Sequence, residues 1–197
     1  MSQPEFMDYK GLTHVFENAA AFTGASLTLT SQCGAPGERC EPQRVRAVAA
    51  TRDLLPVLGI VPARGRNFEN DEGRGGTERV VILTHEFWQN RLGGDPRLLG
   101  GTLTLNGVPR RVVGILPPGF QFEKAEALVP IYVNPDSMTG RSSNYLDGVA
   151  RLRSGVTLEQ AQRELNALTR RTAVQYARNY PASMGYGATV VGLRDEM

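Results

Sequence analysis

The chain has 197 residues, enough for one large domain or two small ones with a sizeable hydrophobic core. Hydrophobic residues make up 41% and charged residues 21%, a balance that is typical of a globular protein and excludes a disordered one. The net charge of +2 is too small to predict nucleic-acid binding, and no apolar run approaches the ~20 residues that a membrane-spanning helix needs.

The first sixty residues predict a helix, a hairpin and a second short helix. Apolar side chains near helical spacing predict a helix over 4–21. Strict alternation over 25–30 and again over 44–50 predicts two strands that pair as a hairpin. A short helix over 51–58 should end at Gly59.

Two cysteines, Cys33 and Cys40, lie in the Gly/Pro loop at the tip of this hairpin. The only histidines, His14 and His85, are far away in sequence, so the four close ligands of a zinc site are lacking. Two interpretations of the cysteine pair remain, a surface disulfide or two free thiols, and the position at the hairpin tip favours the disulfide. Such a small ring would contribute about 2.5 kcal/mol in the loop-entropy model. A disulfide would also indicate a compartment outside the cytoplasm.

The next segment changes in character. A loop rich in Gly, Arg and acidic residues over 62–77 precedes an apolar run over 79–83, which has the pattern of a strand covered on both faces. Thr84 is a helix-capping residue, and the helix that follows should stop at Gly93-Gly94.

The clearest local signal in the chain is a hairpin built on a type I′ turn at Asn106-Gly107. Its strands are predicted over 102–105 and 108–116, with Pro109 marking an edge or a bulge near the turn. A further short strand is predicted over 128–133.

The last third of the chain contains its best helix. A polar segment over 134–144 predicts a connection between lobes, and a strand is expected over 146–153. The sequence Thr157-Leu-Glu-Gln160 is a capping box that opens a helix over about 157–180. A final strand is predicted over 188–193.

These elements predict the α+β class with two lobes. The two ends share a strand-and-helix character, whereas the middle has its own hairpin. We therefore expect residues 1–60 and 140–197 to form one α/β lobe and residues 61–139 to form an inserted β-rich lobe.

No constellation of residues predicts catalysis. The Gly-x-Ser-x-Gly elbow, the P-loop lysine and the His-x-x-x-His metal motif are all absent. His14 and His85 are interpreted as ordinary helix residues. The sequence therefore predicts no catalytic, cofactor-binding or metal-binding residue, and no enzyme.

Three interpretations of the charged and aromatic residues favour structure over chemistry. The acidic residues of the loop over 64–77 have the wrong spacing for calcium, and neighbouring arginines neutralise them. Four arginines alternate along two strands: Arg44, Arg46, Arg151 and Arg153. The residues between them, Val45 and Leu152, are expected to face the core, so the arginines predict a solvated or protein-binding face. Trp88 is interpreted as a core residue.

Seven segments carry a family resemblance when they are taken together. They are DLLPVLGI (53–60), PARGRNF (62–68), VVILTHEFW (80–88), RLGGDP (91–96), GTLTLNG (101–107), VVGILPPGF (112–120) and ARLRSGVTLEQA (150–161). In this order and spacing, across residues 3–196, they resemble the periplasmic core domain of MacB-like ABC transporter permeases, most strongly the acidobacterial-type permease group. The resemblance implies a two-lobe fold, with a porter-like subdomain from both chain ends and an inserted β-rich subdomain.

The resemblance also implies a location and partners. The beginning of the chain lacks a signal peptide, which alone would indicate the cytosol. In the family that the chain resembles, however, this domain lies between two membrane helices in sequence and on the periplasmic side of the inner membrane. Residues 193–197 resemble the stretch before the second of these helices. Expected partners are a second permease copy or homologous half, a periplasmic adaptor protein and, indirectly, an ATP-binding subunit. Nucleic acid and cofactors are not expected.

The function implied by the resemblance is non-catalytic. ATP hydrolysis would reside in a separate cytoplasmic domain, and this domain would relay the resulting movement across the membrane for efflux or to partner proteins. The isolated domain is expected to be a monomer or a weak dimer. The alternative hypothesis is a stand-alone periplasmic module that binds a small anionic ligand on the arginine-rich loop over 64–79.

Overall fold

The computed structural model describes residues 1–30, 41–134, 140–141 and 143–193, which contain four α-helices and eight strands. Their bounds are α1 Gln3–Lys10, β1 Phe16–Leu29, β2 Gln43–Ala50, α2 Leu54–Leu58, β3 Arg64–Gly65, β4 Val80–Leu83, α3 His85–Arg91, β5 Thr102–Leu105, β6 Val108–Ile115, β7 Ala127–Pro130, β8 Asp147–Leu152 and α4 Leu158–Gln175. None of the helices in these ranges is both long enough and apolar enough to cross a membrane.

The chain divides into two compact units. The first unit comprises Met1–Ala21 and Val133–Met197, and the second comprises Phe22–Tyr132. The division falls inside β1, so this strand begins in the first unit and ends in the second. The mixed α+β class agrees with the sequence analysis.

The first unit contains α1, the start of β1, β8 and α4. A capping box begins α1, since Ser2 Oγ accepts from the backbone N–H of Glu5 while the Glu5 carboxylate accepts from the Ser2 backbone. A second capping box, between Thr157 and Gln160, begins α4 as predicted. One face of α4 buries Ala161 and Leu165 against apolar residues around the start of β1: Leu12, Val15 and Phe16.

The second unit is a closed ring of six strands. The end of β1 pairs with β2, and the ring continues through β7, β4, β6 and β5 back to β1. The β1–β2 register runs from Phe22 opposite Ala50 to Leu29 opposite Gln43, and Leu29 opposite Leu105 closes the ring. Side chains from every strand of the ring meet in one core: Leu27, Val45, Val81, Leu103, Val112 and Val129 are members.

Both predicted hairpins are confirmed. The strands β1 and β2 pair antiparallel over the predicted residues, and β5 pairs with β6 through Asn106-Gly107. Asn106 and Gly107 both have positive φ angles, 54° and 70°, as a type I′ turn requires. The helix after Thr84 is also confirmed, because the Thr84 hydroxyl accepts from Phe87 N.

Two predicted elements are wrong. The helix expected over 4–21 ends at Lys10, and residues from Phe16 onward belong to β1, where Ala20 and Ala21 are fully buried. The strand expected over 188–193 does not form. The side chain of Gln162 on α4 replaces a neighbouring strand there, because it donates to Ala188 O and accepts from Val190 N.

The boundary between the units also differs from the expected lobes, 1–60 with 140–197 and 61–139. The first crossing lies at Ala21–Phe22, and the paired part of β1 and β2 after it belongs to the six-stranded ring of the second unit. The second crossing lies at Tyr132–Val133, just after β7.

Candidate functional site

The most strongly buried charges of the first unit lie around Arg141. This residue is only 4% exposed, and its guanidinium donates to Asp8 Oδ2 at 2.8 Å. The same guanidinium lies 3.9 Å from the centre of the Tyr176 ring. Burial opposes the charge of Arg141, but hydrogen bonds to Asp8 and Tyr180 prevail and raise its pKa above the ordinary value. Arg141 is therefore a permanent buried cation.

Glu5 supplies a second buried charge on the same helix as Asp8. It is 2% exposed; one carboxylate oxygen accepts from Ser2 N, and the other accepts from the Tyr180 hydroxyl at 2.9 Å. The Tyr180 ring stacks on Tyr186 with 3.9 Å between ring centres. Burial raises the pKa of Tyr180, so this hydroxyl remains a proton donor to Glu5.

We call the connected side chains of this region the Arg141 cluster: Glu5, Asp8, Tyr9, Arg141, Tyr176, Tyr180 and Tyr186. The Tyr9 and Tyr186 hydroxyls, 3.3 Å apart, complete it. Its members come from α1, from the segment after β7, and from the end of α4 and the residues beyond it. The Arg141 cluster therefore fastens residues near the start of the chain to residues near its end.

The Arg141 cluster is suited to holding structure and not to reacting. Each of its carboxylates already accepts from a neutral or cationic donor, which leaves no basic group poised beside a nucleophile. Across the described residues, no group of three or more His, Cys, Asp or Glu side chains is arranged to hold a metal ion.

The predicted disulfide between Cys33 and Cys40 lies outside the described residues.

The two histidines belong to different units, His14 to the first and His85 to the second. His14 is an exposed neighbour of Glu164 at 3.3 Å, and His85 begins α3 with its ring 5.7 Å from the Trp88 ring. Trp88 is a core residue, as predicted; its indole N–H donates to Asp95 O at 3.0 Å.

The arginines of the loop over 64–77 have partners within the second unit. Arg66 forms a two-pronged hydrogen bond with Glu72, at 2.7 and 3.1 Å. Burial would raise the pKa of Glu72, but hydrogen bonds from Arg66 and from Glu69 N prevail and lower it. The guanidinium of Arg74 lies over the Tyr132 ring. Arg64 lies over Trp88 in the same way.

The four alternating arginines fall into two pairs, because Arg44 and Arg46 are in the second unit and Arg151 and Arg153 are in the first. All four are exposed. Between them, Val45 is fully buried and Leu152 packs on the core of the first unit, as predicted. The backbone N–H of Arg46 donates to Glu126, which also accepts from Arg91 at 2.7 Å.

The sequence analysis missed the Arg141 cluster. One signal was available: Ser2-Gln-Pro-Glu5 has the spacing of a capping box, which places Glu5 in the first turn of a helix. Nothing in the polar segment over 134–144 distinguishes Arg141 from the exposed arginines, since its partner Asp8 is remote in sequence.

Comparison with the sequence models of known families identifies one family. The sequence model of the MacB-like periplasmic core domain matches residues 4–168. No curated protein matches the sequence.

Among solved structures, the chain is similar to the extracellular domain of the noncanonic ABC-type transporter YknZ from Gram-positive bacteria, with a TM-score of 0.63, 17% identity and coverage of 90% of this chain and 84% of that one. It is also similar to the periplasmic region of MacB from Actinobacillus actinomycetemcomitans, with a TM-score of 0.60, 15% identity and coverage of 88% and 74%. A domain of a putative permease from Porphyromonas gingivalis gives a TM-score of 0.56, 18% identity and coverage of 84% and 69%. At these identities the likeness shows the fold.

Proposed function

Because the chain belongs to the family of MacB-like periplasmic core domains of ABC transporter permeases, we propose that it relays the ATP-driven movement of its transporter to the extracytoplasmic side. The relay is mechanical: two rigid units move as bodies, and no side chain of this domain takes part in a reaction. ATP hydrolysis takes place in a separate cytoplasmic domain.

The observation that carries this proposal is the Arg141 cluster. In the proposed transporter, membrane helices precede and follow this domain. The contacts of Glu5 with Tyr180 and of Asp8 with Arg141 hold both ends of the chain in one unit. A movement of either membrane helix therefore moves that unit as a whole instead of unravelling α1.

The proposed setting is the periplasmic side of the inner membrane, with two permease copies or homologous halves in one transporter. A periplasmic adaptor protein and an ATP-binding subunit complete the proposed partners. Efflux is the proposed outcome of the movement. Membrane helices would hold the two copies at high effective concentration, so the domain needs no strong interface of its own.

The relay is tested on the full-length permease, reconstituted with its ATP-binding partner. A spin label is attached at Val174→Cys, an 82% exposed position on α4, after Cys33 and Cys40 have been replaced by serine. The label-to-label distance between the two copies is measured with ADP and with a non-hydrolysable ATP analogue. We expect the two nucleotides to give different distances. Equal distances in a preparation that hydrolyses ATP would refute the relay.

His85→Ala is the control for hidden chemistry. The relay predicts that this variant keeps both ATP hydrolysis and the nucleotide-dependent distance change, since His85 lies at the start of α3 with its ring against Trp88 and has no role in either. If His85→Ala abolishes ATP hydrolysis while the domain stays folded, the relay is wrong and His85 belongs to a chemical site. For the alternative, an anion-binding module on the loop over 64–79, Arg64, Arg66 and Arg74 already have partners, which leaves Arg79 as the arginine of this loop that could meet an anion.

A further inference from the structure

Two arginines of the second unit, Arg79 and Arg110, are neighbours at the start of its parallel strand pair, with Arg79 just before β4 and Arg110 on β6. Val81 on β4 is opposite Val112 on β6, and both belong to the core of the ring. Arg79 and Arg110 each lie two residues before these valines, and Arg111 N donates to Arg79 O at 2.8 Å. Side chains alternate along a strand, so Arg110 lies on the same face of β6 as Val112, whereas Arg79, just before β4, is exposed.

Arg110 is only partly exposed at this position. On the other side of β6 it is opposite Leu103, which is fully buried. Its Nε is buried and has no hydrogen-bond partner. Burial lowers the pKa of Arg110, and the neighbouring charge of Arg79 lowers it further. A buried N–H donor without an acceptor and a nearby like charge both cost stability.

No carboxylate neutralises this pair within the described part of the chain. The nearest acid in sequence, Glu78, is paired with another residue, because its carboxylate accepts from Arg111 at 2.6 Å. Most other arginines of the second unit with a described role have an acid or a ring as partner, as Arg66, Arg91 and Arg97 do. Arg79 and Arg110 are thus two adjacent cations, one exposed and one half-buried, without an acidic partner among the described residues.

We propose that Arg79 and Arg110 bind a doubly charged oxyanion of the phosphate-monoester class. Two guanidinium groups match two negative charges, and each planar fork of N–H donors fits two phosphate oxygens. A single carboxylate would neutralise only one of the cations. The site lies within the second unit and does not depend on the relay.

The first test uses the 197-residue chain and inorganic phosphate at constant ionic strength, with chloride as the balancing anion. The Nε–Hε resonances of the arginines are followed by NMR. We expect saturable shifts at Arg79 and Arg110, and binding at least tenfold weaker in Arg79→Gln and in Arg110→Gln. Arg170→Gln is the matched control, since it removes one exposed arginine of the first unit and should leave binding unchanged. Shifts that do not saturate, or equal weakening in the control, would overturn the proposal.

A second set of measurements distinguishes the sources of the phosphate. Phenyl phosphate represents a soluble monoester, and vesicles that contain phosphatidic acid represent a lipid headgroup. Binding of either probe that is lost in Arg79→Gln and kept in Arg170→Gln supports the site and identifies its source. Acetate that binds as tightly as phosphate would contradict the preference for a dianion. None of these results bears on the distance measurements in the full transporter, so the two proposals fail separately.

Discussion

Two ion pairs of the first unit differ in how far they are removed from water. The side chains of Arg141 and Asp8 are 4% and 30% exposed, whereas those of His14 and Glu164 are 64% and 45% exposed. Exposed pairs contribute between zero and about 1 kcal/mol, but removing one partner of a buried pair leaves an uncompensated charge. The contribution of an ion pair here is therefore decided by burial and not by distance alone.

We expect Asp8→Ala to lower the free energy of unfolding by about 3 kcal/mol, because it leaves Arg141 charged and buried without its carboxylate. Urea unfolding at pH 7 measures the loss. The matched control is Glu164→Ala on α4, which should change the free energy by less than about 1 kcal/mol. Equal effects of the two substitutions would mean that Arg141 finds another partner, and would remove the basis for the Arg141 cluster.

Glu72 gives the second unit a dependence on pH. Its pKa in the folded chain lies below the ordinary 4.5, owing to Arg66 and to the backbone of Glu69, which prevail over the effect of burial. A lowered pKa stabilises the folded state above the ordinary value, and this contribution is lost as the pH falls through the folded pKa. We expect Glu72→Gln to destabilise the chain at pH 7 and to cost progressively less as the pH falls below about 4.5.

Denaturant unfolding at a series of pH values tests the prediction for Glu72. Glu69→Gln serves as the control, because the Glu69 side chain is 66% exposed and makes an ion pair with the same Arg66 at 3.1 Å. It should show a smaller effect at pH 7 and little change on acidification. A loss at pH 7 that persists undiminished at pH 3 would show that Glu72 acts through shape and not through charge.

At the scale of single elements, the β5–β6 hairpin depends on the backbone of its turn. Gly107 has a φ of +70°, and a Cβ added there would meet no atom within 4 Å, so a substitution tests backbone strain alone. We expect Gly107→Ala to cost about 1 kcal/mol. Gly75→Ala is the matched control, since that glycine also has open space around it but no positive φ. Thermal unfolding of both variants measures the difference; a neutral Gly107→Ala would contradict the type I′ assignment.

The elements that the sequence predicts correctly are those with a local signal. The turn at Asn106-Gly107 and the capping box at Thr157 depend on residues within a few positions of each other. The start of β1 has no such signal, because the short run Ala19–Ala21 suits a helix or a buried strand equally and is decided by packing. The segment over 188–193 is apolar enough for a strand, but Gln162 satisfies its backbone instead.

The difference between local signals and tertiary packing also explains which parts of the candidate site were predictable. Val45 and Leu152 follow from strand alternation, and the family follows from short phrases in a fixed order. The contact between Arg141 and Asp8 joins residues separated by most of the chain, and the units are divided inside a continuous strand. Such features depend on tertiary pairing, which alternation and spacing do not encode.

At the scale of the whole molecule, two covalent crossings connect the units. One lies inside β1, where backbone pairing stiffens the chain, and the other follows β7 at Tyr132–Val133. Ile131 is held on the second unit by its N–H bond to Ala50 O, and Arg141 is held on the first by Asp8. Asn134, an exposed residue just after this crossing, is therefore a place where the second crossing can be lengthened.

We expect a six-residue Gly/Ser insertion after Asn134 to weaken the relay while both units stay folded, because flexible residues transmit force poorly and lengthening a loop costs little stability. In the full-length permease labelled at Val174→Cys, the insertion should reduce the nucleotide-dependent distance change and leave ATP hydrolysis active. The matched control places the same insertion between Gly75 and Gly76, in an exposed loop inside the second unit, and should leave the distance change intact. If the insertion after Asn134 has no effect, the movement passes through β1 alone; if both insertions abolish it equally, the distance change reports general loosening and the two-unit relay is wrong.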